Sequence, residues 1–299
     1  MGWEDTFQTW ASGPSQTEQE KSENTERVIC DALNSDDRLS KLDILVFTQG
    51  SYKARTNVKL DSDVDICVLL KDQIFVDYPP NFTDQDSGLS NGTLTYQEFK
   101  NLVEGALVKR FGRQRVVRGS KAFDVHENTY RVAADIIPTF EHRRYTGEYN
   151  SDRSPEYLSG IEFRPDKGGR IINWPDQTYS NGIDKNNSTS RRYKRVIRIL
   201  KRLRNKMQEE KIAAAHNIAS FLIESLVWNT PNEKFNYSTY SDVVRDILAH
   251  TFNNTLSDEE CKEWGEVNEL KYLFRDGKPW SRVQAHSFLS AAWDYIGFE

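Results

Sequence analysis

Two aspartates one residue apart, in Asp63-Val64-Asp65-Ile66-Cys67-Val68-Leu69-Leu70, are the residues of this chain best suited to chemistry. Strand side chains alternate between faces, so Asp63 and Asp65 point one way while Val64, Ile66 and Val68 point the other way, into a core. Neighbouring carboxylates repel unless a cation lies between them. Hard oxygen ligands suit Mg²⁺, which binds few carboxylates and keeps positions for water and phosphate. Upstream, after the apolar run Ile44-Leu45-Val46-Phe47, stands Gln49-Gly50-Ser51. The glycine lets the backbone approach a ligand closely, and with Ser51 it offers N–H groups and a hydroxyl to a phosphate. Asp-x-Asp alone reads more simply as an edge strand with its aspartates in water; Gly-Ser at this spacing turns the reading towards a metal and phosphate site. Asp61, Asp63 and Asp65 would fit the first ligands of an EF-hand, but the obligatory glycine is replaced by Ile66.

A third carboxylate, Asp135, lies within Val132-Ala133-Ala134-Asp135-Ile136-Ile137. An unpaired acid in an apolar strand is costly to bury. It is either an edge residue, paired for instance with Arg131, or the third member of a two-metal carboxylate set contributed by an adjacent strand. Cations cluster further on: Arg191, Arg192, Lys194, Arg195, Arg198, Lys201, Arg202, Arg204 and Lys206 surround an apolar stripe of Val196, Ile199, Leu200, Leu203 and Met207. Such a run is a solvated helix face, a nucleic-acid groove or a triphosphate clamp. Arg198 and Lys201 are one turn apart at the edge of the stripe.

The elements that must position these groups follow from periodicity and punctuation. Helices are expected over 16–33 and from Thr95-x-x-Glu98, a capping box, to Gly112. Strands are expected at 42–48, 63–70, 116–117, 122–125 and 130–137, the last ended by Pro138. Residues 77–92 read as a loop. Residues 141–190 read as a long polar stretch suited to a lid or binding loop, with Trp174-Pro175 and Asn181-Gly182 marking turns. Helices follow from Arg191, capped by Thr189 or Ser190, and over 213–229, 238–252, 257–273 and 281–296.

The 299 residues carry 40 Lys and Arg against 45 Asp and Glu, a net charge of −5, which argues against a protein that coats nucleic acid. The apolar content is that of a globular protein, and no apolar run is long enough to span a membrane. Cys30, Cys67 and Cys261 suggest neither a disulfide framework nor a zinc site, and the five histidines show no ligand spacing. A cytoplasmic location fits.

Taken in order, Gln49-Gly50-Ser51, Ser62-Asp63-Val64-Asp65-Ile66, Ala134-Asp135-Ile136-Ile137-Pro138, Asn173-Trp174-Pro175, the Arg/Lys helix and Ser220-Phe221-Leu222-Ile223-Glu224 resemble the bacterial cGAS/DncV-like nucleotidyltransferases of the polymerase-β-like superfamily. The resemblance implies an α+β fold: a mixed-sheet catalytic core with an N-terminal helix over 1–190, a C-terminal helical domain over 191–299, and an active site in the cleft between. It implies nucleoside triphosphates as substrates, ATP and/or GTP with pyrimidine triphosphates also in range. The implied product is a cyclic di- or trinucleotide second messenger of antiphage signalling, made with release of pyrophosphate. By resemblance, Asp63, Asp65 and Asp135 hold two Mg²⁺ ions, with Mn²⁺ as a substitute. Gly50 and Ser51 match the phosphate-cradling turn; Lys201, with Arg198 one turn before it, and Ser220 match triphosphate contacts; Phe221 falls where relatives often stack a tyrosine on a base. The zinc-binding insertion of the animal DNA sensor is missing, so no template nucleic acid is expected. A downstream effector that responds to the product is expected, and a monomeric enzyme. Two other readings stay open: a nucleotidyltransferase that modifies RNA, a protein or a small molecule, and a non-enzymatic nucleotide- or RNA-binding scaffold built on the basic helix.

Overall fold

The alternation that follows Asp63 becomes a strand in which Val64, Ile66 and Val68 are fully buried and Asp65 lies half-buried on the other face. The computed structural model describes residues 2–58, 63–90, 92–127, 132–275 and 277–299; Asp61, Ser62, Tyr130 and Arg131, named above, lie outside them. The chain divides into two compact units, one made of residues 15–53 and 62–175, the other of residues 1–14, 54–61 and 176–299. The first contains a mixed sheet and the second is helical, the α+β class expected.

In chain order, the first half carries α1 (Trp3–Trp10), α2 (Gln16–Asn34), β1 (Ile44–Thr48), α3 (Gly50–Ala54), β2 (Val64–Asp77), α4 (Asp84–Ser87), α5 (Tyr96–Phe111), β3 (Val116–Arg118), β4 (Phe123–Val125) and β5 (Ala134–Tyr149). The second half carries β6 (Pro155–Phe163), β7 (Ile171–Asn173), α6 (Pro175–Ser188), α7 (Arg192–Glu209), α8 (Ser220–Trp228), α9 (Tyr240–Asn253) and α10 (Arg282–Ile296). The sheet runs β1-β2-β5-β4-β3, with β6 on β5 and β7 on β6. β2 and β5 are parallel; the other pairs are antiparallel.

Local chemistry sets the sheet unit's helices. Both α2 and α5 open on capping boxes, Ser15 with Glu18 and Thr95 with Glu98, each satisfying two orphan donors. Ile29 and Leu33 of α2, and Phe99, Val103 and Leu107 of α5, pack with Val64, Ile66, Val68, Phe123 and Ile136. Full burial of each such side chain contributes roughly 1.5–3 kcal/mol. The apolar face of the sheet is therefore covered, and the alternate positions of β2 and β5 are left for polar work.

In the helical unit, Val196, Ile199, Leu200, Leu203 and Met207 of α7 are buried among Leu222, Ile223 and Leu226 of α8, Val243, Val244, Ile247 and Leu248 of α9, and Phe288, Leu289 and Ala292 of α10. Phe7 of α1 joins them.

Five expectations are corrected. Pro138 does not end its strand: β5 continues to Tyr149. The proline lies between the β4 pairing, which stops at Ile136, and the β6 pairing, which starts at Phe140, so its missing N–H breaks no ladder there. Residues 141–190 are not an irregular stretch but the rest of β5, β6, β7 and α6. Pro175 is the first residue of α6, where a proline suits a helix, and Asn181-Gly182 lies inside that helix rather than in a turn. The 213–229 helix begins only at Ser220, after a 3₁₀ turn at Ala213–Ala215 and a left-handed Asn217. Finally, 257–273 forms turns. Its apolar residues recur at near-helical spacing, but the Asn229 side chain takes over Gly265, accepting its N–H at 3.1 Å and donating to its carbonyl at 2.8 Å.

One ionic cluster fastens the sheet unit. Lys100 of α5, fully buried, reaches Asp166 at 2.8 Å and the Ser120 carbonyl at 2.9 Å, and Arg118 of β3 reaches Asp166 at 2.8 Å. The Arg118 hydrogen bond, together with Lys100, lowers the Asp166 pKa to about 2. A depressed carboxyl pKa adds stability that is complete above the unfolded value of roughly 3.9 and is lost as pH falls towards the folded value. Asp166→Asn is therefore expected to lower the urea midpoint most at pH 6, with the deficit narrowing below pH 4. Denaturation curves at pH 6, 4 and 3 check this; a deficit independent of pH would refute the ionic account.

Candidate active site

The parallel pairing of β2 with β5 sets Asp65 directly beside Asp135. Residues paired in register on neighbouring strands share a face, so the two carboxylates stand together on the side away from α2 and α5. Asp63 precedes β2 and is exposed. Burial first, then the charges of Asp63 and Asp124, hold the Asp135 carboxyl above the ordinary aspartate range. Of the three aspartates singled out from sequence, Asp63 thus acts electrostatically on Asp135, while Asp65 stands in register beside it.

Asp124 is a fourth carboxylate that the sequence reading missed. It lies on β4 directly across from Asp135, extending the row Asp65, Asp135, Asp124 over three strands. The signal was present in Phe123-Asp124-Val125, an acid between two buried apolar residues, as at Asp135. Its other neighbour is His126, with Nε2 3.6 Å from the carboxylate.

The Gly-Ser turn abuts this row. Gln49 N–H donates to the Asp65 carbonyl at 2.8 Å, and Gly50 has φ +64°. A Cβ on Gly50 would lie 2.3 Å from Asp65 Oδ2, so glycine is required both by the backbone and by the closeness of the carboxylate. Ser51 follows in the short helix α3. Upstream, the Glu26 carboxylate of α2 accepts the Thr48 N–H at 3.0 Å and holds the end of β1 that leads into the turn.

The charge of this arrangement suits divalent cations, although its carboxylates are not drawn together into a coordination set. An in-register pair of carboxylates is repulsive until a cation neutralises it, and Asp135 also feels the charges of Asp63 and Asp124. Asp63, Asp65 and Asp135 are the residues that would hold Mg²⁺. Among the described residues, no group of three His, Cys, Asp or Glu is arranged for coordination.

The helical unit places its predicted residues differently from the simple stripe-edge picture. Arg198 and Lys201 are buried, not leaning from an edge. Arg198 donates to the Ala11 carbonyl at 2.6 and 2.9 Å and to the Arg55 carbonyl at 2.7 Å, and burial with the nearby Arg202 and Arg195 lowers its pKa to about 10. Lys201 Nζ donates to Glu224 at 2.6 Å and to the Thr56 carbonyl at 3.2 Å. Ser220 opens α8, and Arg204 donates to its hydroxyl at 3.2 Å. Phe221 is half-buried with its ring 6.3 Å from Trp280.

Most of the basic run behaves in the same way. Arg192 donates to the Phe235 and Tyr237 carbonyls, Arg195 to the Tyr240 hydroxyl, Arg202 to the Thr9 and Trp10 carbonyls, and Arg204 to the Ile218 carbonyl. Lys206 pairs with Glu210 at the surface. These guanidinium groups bond the protein's own carbonyls and one hydroxyl, which disfavours a nucleic-acid groove along α7. The cap of α7 is Arg191, in a left-handed conformation, with Thr189 Oγ1 accepting the Tyr193 N–H at 3.1 Å.

The chain as a whole is similar to known proteins. The cGAS/DncV-like nucleotidyltransferase C-terminal helical domain matches residues 180–297. A cyclic dipyrimidine nucleotide synthase of Cecembia lonarensis is 43% identical, covering 99% of this chain and 98% of that protein. A synthase of the same description from Legionella pneumophila is also 43% identical, over 99% and 98%. The solved structure of a Rhodothermus marinus c-UMP-AMP synthase with Apcpp and Upnpp superposes with a TM-score of 0.83 at 28% identity, covering 99% of this chain and 97% of that one. Among the described residues no helix is long and apolar enough to cross a membrane.

Two outcomes follow from the carboxylate row. Asp135→Asn should raise the melting temperature in metal-free buffer, because it removes a half-buried charge facing Asp63 and Asp124; a lower melting temperature, by calorimetry, would count against the repulsion. Gly50→Ala should cost about 1–3 kcal/mol of stability through its left-handed backbone and should lower turnover at least tenfold by displacing the Asp65 carboxylate. Denaturation and pyrophosphate release measure the two effects.

Proposed function

The chain belongs to the cGAS/DncV-like nucleotidyltransferases, and from that premise we propose that it joins pyrimidine nucleoside triphosphates into a cyclic dinucleotide, with release of pyrophosphate. Cyclic nucleotide synthesis from nucleoside triphosphates is the activity of its relatives across nearly its whole length. The choice of pyrimidines is supported by the two 43%-identical synthases, both described as dipyrimidine enzymes. The product serves as a second messenger in bacterial antiphage signalling and acts on a separate effector. The enzyme works as a monomer in the cytoplasm and needs no template.

The observation that carries the reading is the register of Asp65 with Asp135, with Gly50 packed against Asp65. Asp63, Asp65 and Asp135 hold the Mg²⁺ ions in this proposal. Bound there, two Mg²⁺ would supply charge neutralisation to the triphosphate and acidify the attacking hydroxyl. The protein's own residues do the rest. Gly50 lets the chain turn close to Asp65, and Ser51 offers its hydroxyl to the phosphates. Asp135, half-buried beside Asp65, is the proposed acceptor for the proton of the attacking ribose hydroxyl. From the helical unit, Ser220 and Lys201 are the proposed triphosphate contacts, each held by a polar partner, Arg204 and Glu224. Phe221, beside Trp280, is the proposed stacking surface for a base. Losing one such oriented contact costs about 2–4 kcal/mol in the transition state.

The test is incubation with labelled UTP, CTP, ATP and GTP and Mg²⁺, or Mn²⁺ in parallel, followed by phosphatase and mass spectrometry. A phosphatase-resistant product made from UTP and CTP is expected, absent with Asp65→Asn and with metal removed by a chelator. Product that requires added RNA, protein or a small-molecule acceptor would overturn the synthase reading. Cyclic product made from ATP and GTP alone would overturn the pyrimidine choice.

A further inference from the structure

Between the Gly-Ser turn and the aspartate pair, the chain passes through Arg55-Thr56-Asn57-Val58, and this stretch is gripped by α7 and α8. The Arg55 carbonyl accepts from Arg198 at 2.7 Å and the Thr56 carbonyl from Lys201 Nζ at 3.2 Å. Glu224 Oε1 accepts both from Lys201 Nζ and from Thr56 Oγ1, each at 2.6 Å. Thr56, Asn57 and Val58 are only 1%, 3% and 2% exposed. Arg55 adopts φ 56°, a left-handed conformation that a bulky residue keeps only when its surroundings impose it. Connecting segments normally run over the surface and leave their carbonyls to water. Here buried side chains supply the donors, and one carboxylate ties backbone, hydroxyl and ammonium into a single network.

Glu224 was legible only as the acid in an otherwise apolar helix, Ser220-Phe221-Leu222-Ile223-Glu224-Ser225-Leu226-Val227. A buried acid retained there needs a partner, and it has two. The network lies wholly within the helical unit as the chain divides, yet its threaded segment follows directly on α3, which carries Ser51.

We propose that Glu224 and Thr56 are positioning residues for nucleotidyl transfer: by bonding to each other and to Lys201 they fix residues 55–58, and so the end of α3, the short helix that the Gly50-Ser51 turn opens. The inference rests on the reading of Asp63, Asp65 and Asp135 as the reaction centre. It assigns neither residue a contact with substrate.

Replacing Glu224 or Lys201 strands the opposite charge in a buried site and endangers folding. Thr56→Val is the milder probe, since it keeps the shape and removes only the hydroxyl; Thr56→Ser restores the hydroxyl. Three quantities are read: amide hydrogen exchange of residues 55–58 without substrate, kcat per folded molecule, and KM for the triphosphates. With Thr56→Val, faster exchange at 55–58 and a kcat at least tenfold lower are expected, with KM within about twofold of wild type and recovery of both in Thr56→Ser. Wild-type exchange would overturn the proposal, as would faster exchange with unchanged kcat, which marks a purely structural role. A raised KM at unchanged kcat would overturn it too, because the network would then serve triphosphate binding through Lys201. The exchange arm uses no substrate, so it stands even if Asp65→Asn keeps turnover and the catalytic reading fails.

Discussion

Like-charge repulsion between carboxylates is the constraint around which this protein is built. Parallel pairing of β2 with β5 forces Asp65 and Asp135 side by side, and β4 adds Asp124 to the row. Nothing in apolar packing favours that arrangement. It persists because the opposite face of the same strands is covered by α2 and α5, so that each residue of Val64, Ile66 and Val68 contributes burial while its neighbours bear charge. The two-residue period of a strand makes both possible at once. A one-residue slip of register would put the aspartates in the core and the valines in water.

The second organising interaction is the use of arginine and lysine as hydrogen-bond donors to backbone carbonyls. A charged donor to a carbonyl is stronger than a neutral one, and the planar guanidinium can serve several acceptors at once. On α7 this converts what looks like an excess of positive charge into ties for the segments that pass over it: residues 9–11 through Arg198 and Arg202, residues 55–56 through Arg198 and Lys201, and residues 235–237 through Arg192. Function and stability meet on this helix, because Lys201 is at once a proposed triphosphate contact and a member of the network around Glu224 and Thr56.

The helical unit also shows why irregular segments can be as well determined as helices. Residues 257–273 bury Cys261, Val267 and Leu273 without a helix, since Asn229 and neighbouring side chains satisfy the backbone that a helix would otherwise satisfy itself. Conversely, α6 is rich in Asn, Ser and Asp and carries a glycine, yet it is helical because Pro175 starts it and Asn181 and Lys185 are bonded to the Val267 and Thr230 carbonyls. Local propensity is weak where tertiary hydrogen bonds are available.

By itself the sequence determined the elements whose signals are local: the alternation through Asp63 and Asp65, the capping box of α5, the apolar stripe of α7, a glycine at position 50 suited to close approach, and the family through short motifs in order. It could not determine pairings between residues distant in the chain, because those depend on register and burial, which no local pattern encodes. The facing of Asp124 and Asp135, the passage of β5 through Pro138, the burial of Lys201 against Glu224, and the gathering of residues 55–58 with the helices were decided only when the strands paired and the helices packed. An aspartate or lysine reads the same in sequence whether it meets water, a cation or another charge; the fold decides which, since only the fold sets what lies within a few ångströms of it.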